Sequence, residues 1–302
     1  MKKNRLGQSD LYVSETGLGC MSLGTDEAAA ISIIHEALDQ GINFVDTADL
    51  YDEGRNEEII GKAIRQRRQD VILTTKAGNR RIPGQAGWSW DPSKAYIKSA
   101  VKDSLRRLQT DYIDLYQLHG GTIEDPMDET IEAFEELKQE GLIRYYGISS
   151  IRPNVIREYV KRSNIVSVMS QYSILDRRPE AEILPLLAEH GISLIARGPL
   201  AGGILSEHGI GKAEKNYLDY SREELLELHN RLMQEAGESR SLLQTALHYP
   251  LAHPSVAVII PGASSLEQLK SNVRAAEAAP LSPEEITEIQ RISKANRYTL
   301  HV

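Results

Sequence analysis

Hydrophobic positions along this chain follow two alternating periods. Short β-branched runs give way to longer stretches whose apolar residues recur three and four apart, the periods of strands and helices. A hairpin is predicted around Lys2 to Val13 with Gly7 in its turn, then a strand at Thr16–Gly19. Helical spacing from Thr25 to Gln40 stops at Gly41, and strand Ile42–Val45 follows. A helix over Asn56–Arg67 and a strand over Val71–Thr75 come next. Asp91-Pro92 reads as the cap and first position of a helix whose apolar face is Ile97, Val101, Leu105 and Leu108. Strands at Ile113–Leu118, Ile143–Ile148, Val166–Met169 and Ile192–Ala196 are separated by helices at Pro126–Glu140, from Pro153, and at Glu180–His190. A polar stretch, Ser206–Tyr220, precedes helices at Arg222–Gln234 and Ser241–His248. Strand Val256–Ile260 and helix Leu266–Ala276 complete the alternation. Ser282, Pro283 and Glu285 spell a capping box for a last helix, with Leu281 placed to staple onto Ile286.

Eight strands, each followed by a helix and with no composition break between them, imply one α/β domain over residues 1–302. The expected fold is a (β/α)8 TIM barrel with an N-terminal β-hairpin and an extra C-terminal helix. A doubly wound open sheet competes, and would need a Gly-rich phosphate loop directly after the first strand. The residues there, Gly19-Cys20-Met21-Ser22-Leu23-Gly24, have the wrong spacing.

Composition narrows the function. Hydrophobic residues make up 41% and charged ones 26%, as in ordinary globular chains, and the net charge of −8 argues against nucleic acid as the main partner. Cys20 is the only cysteine, which excludes an intrachain disulfide and a cysteine metal site and suits a reducing compartment. The start MKKNRLGQSDLYV is basic but lacks the apolar run of a signal peptide, and no stretch approaches the ~18 apolar residues of a membrane span. The expectation is a cytoplasmic protein, away from membranes, as a monomer or weak homo-oligomer.

In such a barrel, chemistry sits at the C-terminal ends of the strands. Reading those ends in turn gives Asp46, then Tyr51 in the following loop, Lys76, and His119. Each has an ordinary alternative: a turn-capping aspartate, a half-buried loop tyrosine, a structural lysine, a core histidine. Together, on three adjacent strand ends, they suit carbonyl reduction, which needs a hydride on carbon and a proton on oxygen. A lysine ammonium against the phenol favours the phenolate and eases proton release. Asp46 would keep the buried ammonium charged, and His119 would orient the substrate oxygen. No metal is required.

The contexts of these residues carry a family resemblance. GINFVDTADLY (Gly41–Tyr51), GRNEEIIGKAI (Gly54–Ile64), LTTKAG (Leu73–Gly78), SLRRLQTDYIDLYQLHG (Ser104–Gly120), GLIRYYGISS (Gly141–Ser150) and IIPGASSLEQLKSN (Ile259–Asn272) resemble aldo-keto reductase segments, in order and over essentially the whole chain. The resemblance implies that Asp46, Tyr51, Lys76 and His119 form the catalytic tetrad of an NADPH-dependent reductase of aldehydes and ketones. It implies that Ser149 and Gln171 hold the nicotinamide carboxamide, and that Gly19, Cys20 and Met21, with Asp46, lie beside the cofactor. Gly198, Leu200 and Gly202 would pass over the pyrophosphate. Ser264, Gln268 and Asn272 would grip the 2′-phosphate and adenine at a helix N-terminus.

Departures from the family pattern bear on the ligands. Arg197 stands where many members stack an aromatic ring on the nicotinamide, a position a planar guanidinium can also fill. Gly262 and Gln268 stand where Lys and Arg often meet the 2′-phosphate, which weakens the preference for NADP(H); it is still favoured, through Ser264, Ser265, backbone donors and Lys270, without excluding NAD(H). Gly120-Gly121 replace bulkier residues. Trp88 and Trp90, in the loop Gly78–Asp91, either wall the substrate pocket or anchor the loop, and Ser206–Tyr220 reads as a flexible cover or a solvated insertion. Two alternatives keep the fold: a non-enzymatic redox-sensing regulator, and a Schiff-base aldolase using Lys76.

Overall fold

The computed structural model describes residues 1–82, 87–236 and 240–302. Strands β1 (Lys3–Arg5) and β2 (Tyr12–Ser14) pair as the N-terminal hairpin. They are followed by β3 (Leu18–Gly19), α1 (Glu27–Asp39), β4 (Phe44–Asp46), α2 (Arg55–Ile64) and β5 (Ile72–Ala77). A small antiparallel pair, β6 (Asn79–Arg81) and β7 (Trp88–Trp90), precedes α3 (Lys94–Leu108). Then come β8 (Ile113–Leu118), α4 (Met127–Gln139), β9 (Ile143–Ser149), α5 (Pro153–Arg162), β10 (Ser167–Gln171), α6 (Ile183–His190) and β11 (Ser193–Arg197). A long connection leads to α7 (Arg222–Ala236), α8 (Leu242–Leu251), β12 (Val256–Ile260), α9 (Leu266–Ala276) and α10 (Pro283–Ile292).

Eight parallel strands hydrogen-bond in the order β3-β4-β5-β8-β9-β10-β11-β12. The two ends of that series also meet. Gly17 N donates to Ile259 O at 2.8 Å, Ile259 N donates to Glu15 O at 2.9 Å, and Gly19 bridges Gly262. The sheet is therefore a closed barrel, with the expected hairpin and C-terminal helix appended. Among the described residues no helix is long and apolar enough to cross a membrane.

Alternation along each strand divides the core in two. Outward residues such as Val45, Leu73, Tyr116, Ile148, Val168, Leu194 and Ile259 pack under the helices. Inward residues Phe44, Leu115, Met169, Ile195, Val258 and Ile260 fill the barrel, joined from below by Leu6 and Leu11 of the hairpin. Burying those two leucines contributes roughly 1.5–3 kcal/mol each and seals the N-terminal end. The hairpin seats so closely that a Cβ on Gly7, at φ +54°, would lie 2.1 Å from the Val166 carbonyl oxygen. Only glycine fits there.

Several local expectations need correction. Ser93, not Asp91, caps α3: its side chain accepts from Tyr96 N, while Asp91 accepts from Ser93 N at 3.1 Å. The loop Gly78–Asp91 contains the β6–β7 pair, a strand signal carried by the alternation Trp-Ser-Trp; its centre, residues 83–86, lies outside the described residues. The stretch Ser206–Tyr220 is tied down at both ends. Ser206 O faces His229 Nε2 at 3.1 Å, Glu207 accepts from Leu243 N, and Tyr220 OH accepts from Lys294 N. The Ser282–Glu285 capping box forms as expected.

Candidate active site

Continuing the inward alternation past the apolar layer brings a polar one. Phe44 is followed on its face by Asp46, Thr74 by Lys76, Met169 by Gln171 and Ile195 by Arg197. Leu115 and Gln117 lead to His119, just beyond β8. Strand period alone thus gathers these side chains at one mouth, the C-terminal end of the barrel.

Lys76 is only 1% exposed, and all three protons of its ammonium have acceptors. It donates to Asp46 Oδ2 at 2.8 Å, to the Thr47 carbonyl at 2.7 Å and to Tyr51 OH at 3.4 Å. Burial works against its charge, yet Asp46 and Tyr51 together raise its pKa above the ordinary lysine value. The ammonium stays charged. Tyr51 is brought over Lys76 by a tight turn in which Asp52 and Glu53 take left-handed conformations at φ 45° and 62°. Its ring meets His119 edge-on, with centroids 6.1 Å apart.

At the phenol, burial acts against the expected pull of Lys76. Burial raises the Tyr51 pKa and outweighs the opposing pull of Lys76, so the group is a protonated acid rather than a phenolate. Burial, with the charges of Lys76 and Arg197, pushes His119 down to about 3. It is a neutral imidazole, and its Nδ1 is buried among the described residues without a partner.

Behind these four lies a polar layer that strand-end reading misses. Thr47 Oγ1 donates to Asn56 Oδ1 at 2.7 Å, and Asn56 Nδ2 donates to the Cys20 carbonyl. Thr75 Oγ1 and Arg107 Nε each donate to the fully buried Glu57 at 2.6 Å. Asp49 N donates to the Lys76 carbonyl at 3.2 Å, while burial and the charge of Glu57 raise the Asp49 carboxyl to about 7. One signal was available: Asn56 and Glu57 are polar residues on the face of α2 that otherwise buries Ile59, Ile60, Ala63 and Ile64.

The remaining expected contacts fall around the same mouth with different freedom. Ser149 ends β9, while Gln171 Nε2 donates to Tyr217 OH at 2.7 Å. The Cys20 thiol is fully buried toward the Leu18 carbonyl, while Met21 is exposed. After β11, Gly198 and Gly202 turn with φ 64° and 70° beside the half-buried Leu200, and a Cβ on Gly202 would meet nothing within 4 Å. At α9, Ser265 caps the helix, Gln268 Oε1 accepts from Ser264 N and Oγ, and Asn272 Nδ2 donates to the Gly262 carbonyl. A Cβ on Gly262 would lie 2.2 Å from Ser22 Oγ, so a longer side chain there requires Ser22 to move. Lys270 pairs with Glu36 at 3.5 Å and so is engaged away from the helix start.

The two tryptophans differ. Trp88 is 54% exposed on the rim. Trp90 donates to Asp125 at 2.9 Å and lies across two glycines: a Cβ on Gly78 would stand 2.6 Å from its ring, and one on Gly120 3.0 Å. Gly120 lacks a side chain where Trp90 supplies the bulk.

A closed (β/α)8 barrel with a paired lysine, a protonated tyrosine and a neutral histidine at its C-terminal mouth defines an enzyme-type site, and known proteins narrow the class. The model of the Aldo/keto reductase family matches residues 15–294, and this chain belongs to that family of oxidoreductases. It is 61% identical to "Uncharacterized oxidoreductase YqkF" of Bacillus subtilis (strain 168), over 100% of this chain and 99% of that protein. It is 33% identical to the NADH-specific methylglyoxal reductase of Escherichia coli (strain K12), covering 91% and 93% of the two chains. The solved holo form of aldo-keto reductase AKR11C1 from Bacillus halodurans superposes with a TM-score of 0.95 at 62% identity, covering 100% and 99%.

Proposed function

We propose that this protein reduces aldehydes or ketones to alcohols with a reduced nicotinamide cofactor, Tyr51 delivering the proton. The observation that carries this is the Lys76 ammonium, whose three acceptors include both the Asp46 carboxylate and the Tyr51 oxygen. The residues present fit a dinucleotide: open space above Gly202, backbone turns after β11, and the start of α9 capped by Ser265. Ser149 and Gln171 are the residues to hold the nicotinamide carboxamide; Gly19, Cys20 and Met21 flank it through backbone groups. Gly198, Leu200 and Gly202 serve the pyrophosphate, and Ser264, Gln268 and Asn272 the adenosine end.

The chemistry supplied by the bound cofactor is a hydride to the carbonyl carbon. Tyr51 would give its proton to the carbonyl oxygen, which takes up the C=O π pair. The phenolate left on Tyr51 is stabilised by Lys76, which Asp46 keeps charged. The neutral His119 donates its Nε2 proton in a hydrogen bond to the same oxygen, orienting the carbonyl without competing as an acid. Trp88 and Trp90 border the substrate side.

NADP(H) is the preferred form, through the Ser264 and Ser265 hydroxyls and the start of α9. NAD(H) is the second reading, favoured by Gly262 and by the engagement of Lys270 with Glu36. The single, buried Cys20 suits a cytoplasmic setting. The test is consumption of NADPH or NADH with an aromatic aldehyde by wild type and Tyr51→Phe. The variant should lose on the order of 10²–10⁴-fold in kcat while binding the cofactor as before. An unimpaired variant refutes the mechanism.

A further inference from the structure

Arg197 ends β11, the seventh strand from β3 around the barrel, and Lys76 ends the third. In an eight-stranded barrel these two cations stand diametrically across the mouth. Lys76 is neutralised by Asp46 at 2.8 Å. Arg197 has no such partner: among the described residues, none of its guanidinium nitrogens forms an ion pair or hydrogen bond. It nevertheless faces inward, close enough for its charge to bear on Asp46, Tyr51, His119, Tyr217 and Tyr298. His119 is neutral at ordinary pH. Arg197 therefore places an uncompensated positive charge on the side of the mouth opposite Tyr51.

This bears on the two redox states of a nicotinamide, and so rests on the proposed function. A hydride donor must come within about 3–3.5 Å of a carbon whose oxygen sits at Tyr51 and His119. Its ring then occupies the space between those residues and Arg197. The reduced ring is neutral and presents a π face that a guanidinium attracts; the oxidised ring is a cation that the same guanidinium repels. We infer that Arg197 makes this site discriminate by redox state, holding the reduced cofactor more tightly than the oxidised one and so loading the site with NADPH and easing release of NADP+.

The test compares the dissociation constants of NADPH and NADP+ by fluorescence and calorimetric titration, without turnover. The wild type should bind NADPH at least about tenfold more tightly, and the difference should shrink as salt is raised, since Arg197 is only partly buried. In Arg197→Met the ratio should fall to within about threefold, and Arg197→Lys should keep most of it. A ratio near one in the wild type, or an Arg197→Met ratio equal to a large wild-type ratio, overturns the inference. If neither NADPH, NADP+, NADH nor NAD+ binds, the proposed function fails instead; if only the NAD pair binds, the same ratios are read on it.

Discussion

The Lys76 ammonium reaches Tyr51 OH at 3.4 Å and Asp46 at 2.8 Å, so its contact with the phenol is the longer of the two. The lysine is thus anchored by the carboxylate and only leans on the phenol. A charge formed on Tyr51 would strengthen that second contact, which places the stabilisation after proton transfer rather than before it.

Removing the ammonium should expose how much of its role is structural. Lys76→Met leaves Asp46, 3% exposed, as an unpaired buried carboxylate. A loss of roughly 3–5 kcal/mol in stability is expected. Adding Asp46→Asn should restore much of it, read by thermal denaturation of the single and double variants. Turnover should stay low in both.

His119 should not titrate in the range where enzymes are usually assayed. With its pKa pushed down to about 3, the ring is neutral at any pH well above that value. Its NMR resonances, assigned by comparison with His119→Asn, should hold still between about pH 5 and about pH 8, where an ordinary histidine changes charge. A midpoint near 6.5 would contradict the electrostatics described for the mouth.

Asp49 should make stability fall toward alkaline pH. Its carboxyl is raised to about 7 in the fold from an ordinary 3.8, so the folded chain keeps this proton where the unfolded chain has lost it. The stabilisation is complete below the unfolded value and disappears as pH rises through the folded one. Asp49→Asn should therefore gain on the wild type by ~2–4 kcal/mol between about pH 4 and about pH 8, as read by urea unfolding. A pH-independent difference would count against it.

Gly7→Ala should unseat the hairpin. The added methyl would meet the Val166 carbonyl oxygen at 2.1 Å in a left-handed backbone conformation. A cost of ~2–4 kcal/mol is expected, with increased hydrogen exchange in β1 and β2. Gly202→Ala is the control, since its methyl would meet nothing within 4 Å, although its φ of +70° still adds some backbone strain.

The barrel and its mouth were largely legible because both follow from strand period. Once Phe44 and Ile195 are assigned to the inner face, Asp46 and Arg197 must top the same columns. What stayed hidden depends on contacts between distant segments. Nothing local announces that Trp90 lies over Gly78 and Gly120, that Gln171 meets Tyr217, or that Lys270 is drawn to Glu36. The net Tyr51 shift stayed hidden for a related reason. The neighbouring lysine is visible in the motif, whereas the burial that outweighs it is a property of the whole assembled fold.

The seam that closes the barrel also sets conditions on its manufacture. Gly17 bonds Ile259, and Asn4 bonds the Ala257 carbonyl across 253 positions of chain. On the ribosome, β3 must wait without its second neighbour until β12 has been made, and the β11 edge waits with it. Contacts of such long range close slowly, and exposed strand edges invite pairing with other nascent chains. The mouth, which spans that seam, is complete only once β12 has been made, so truncated products ending just after Arg197 should show no carbonyl reduction.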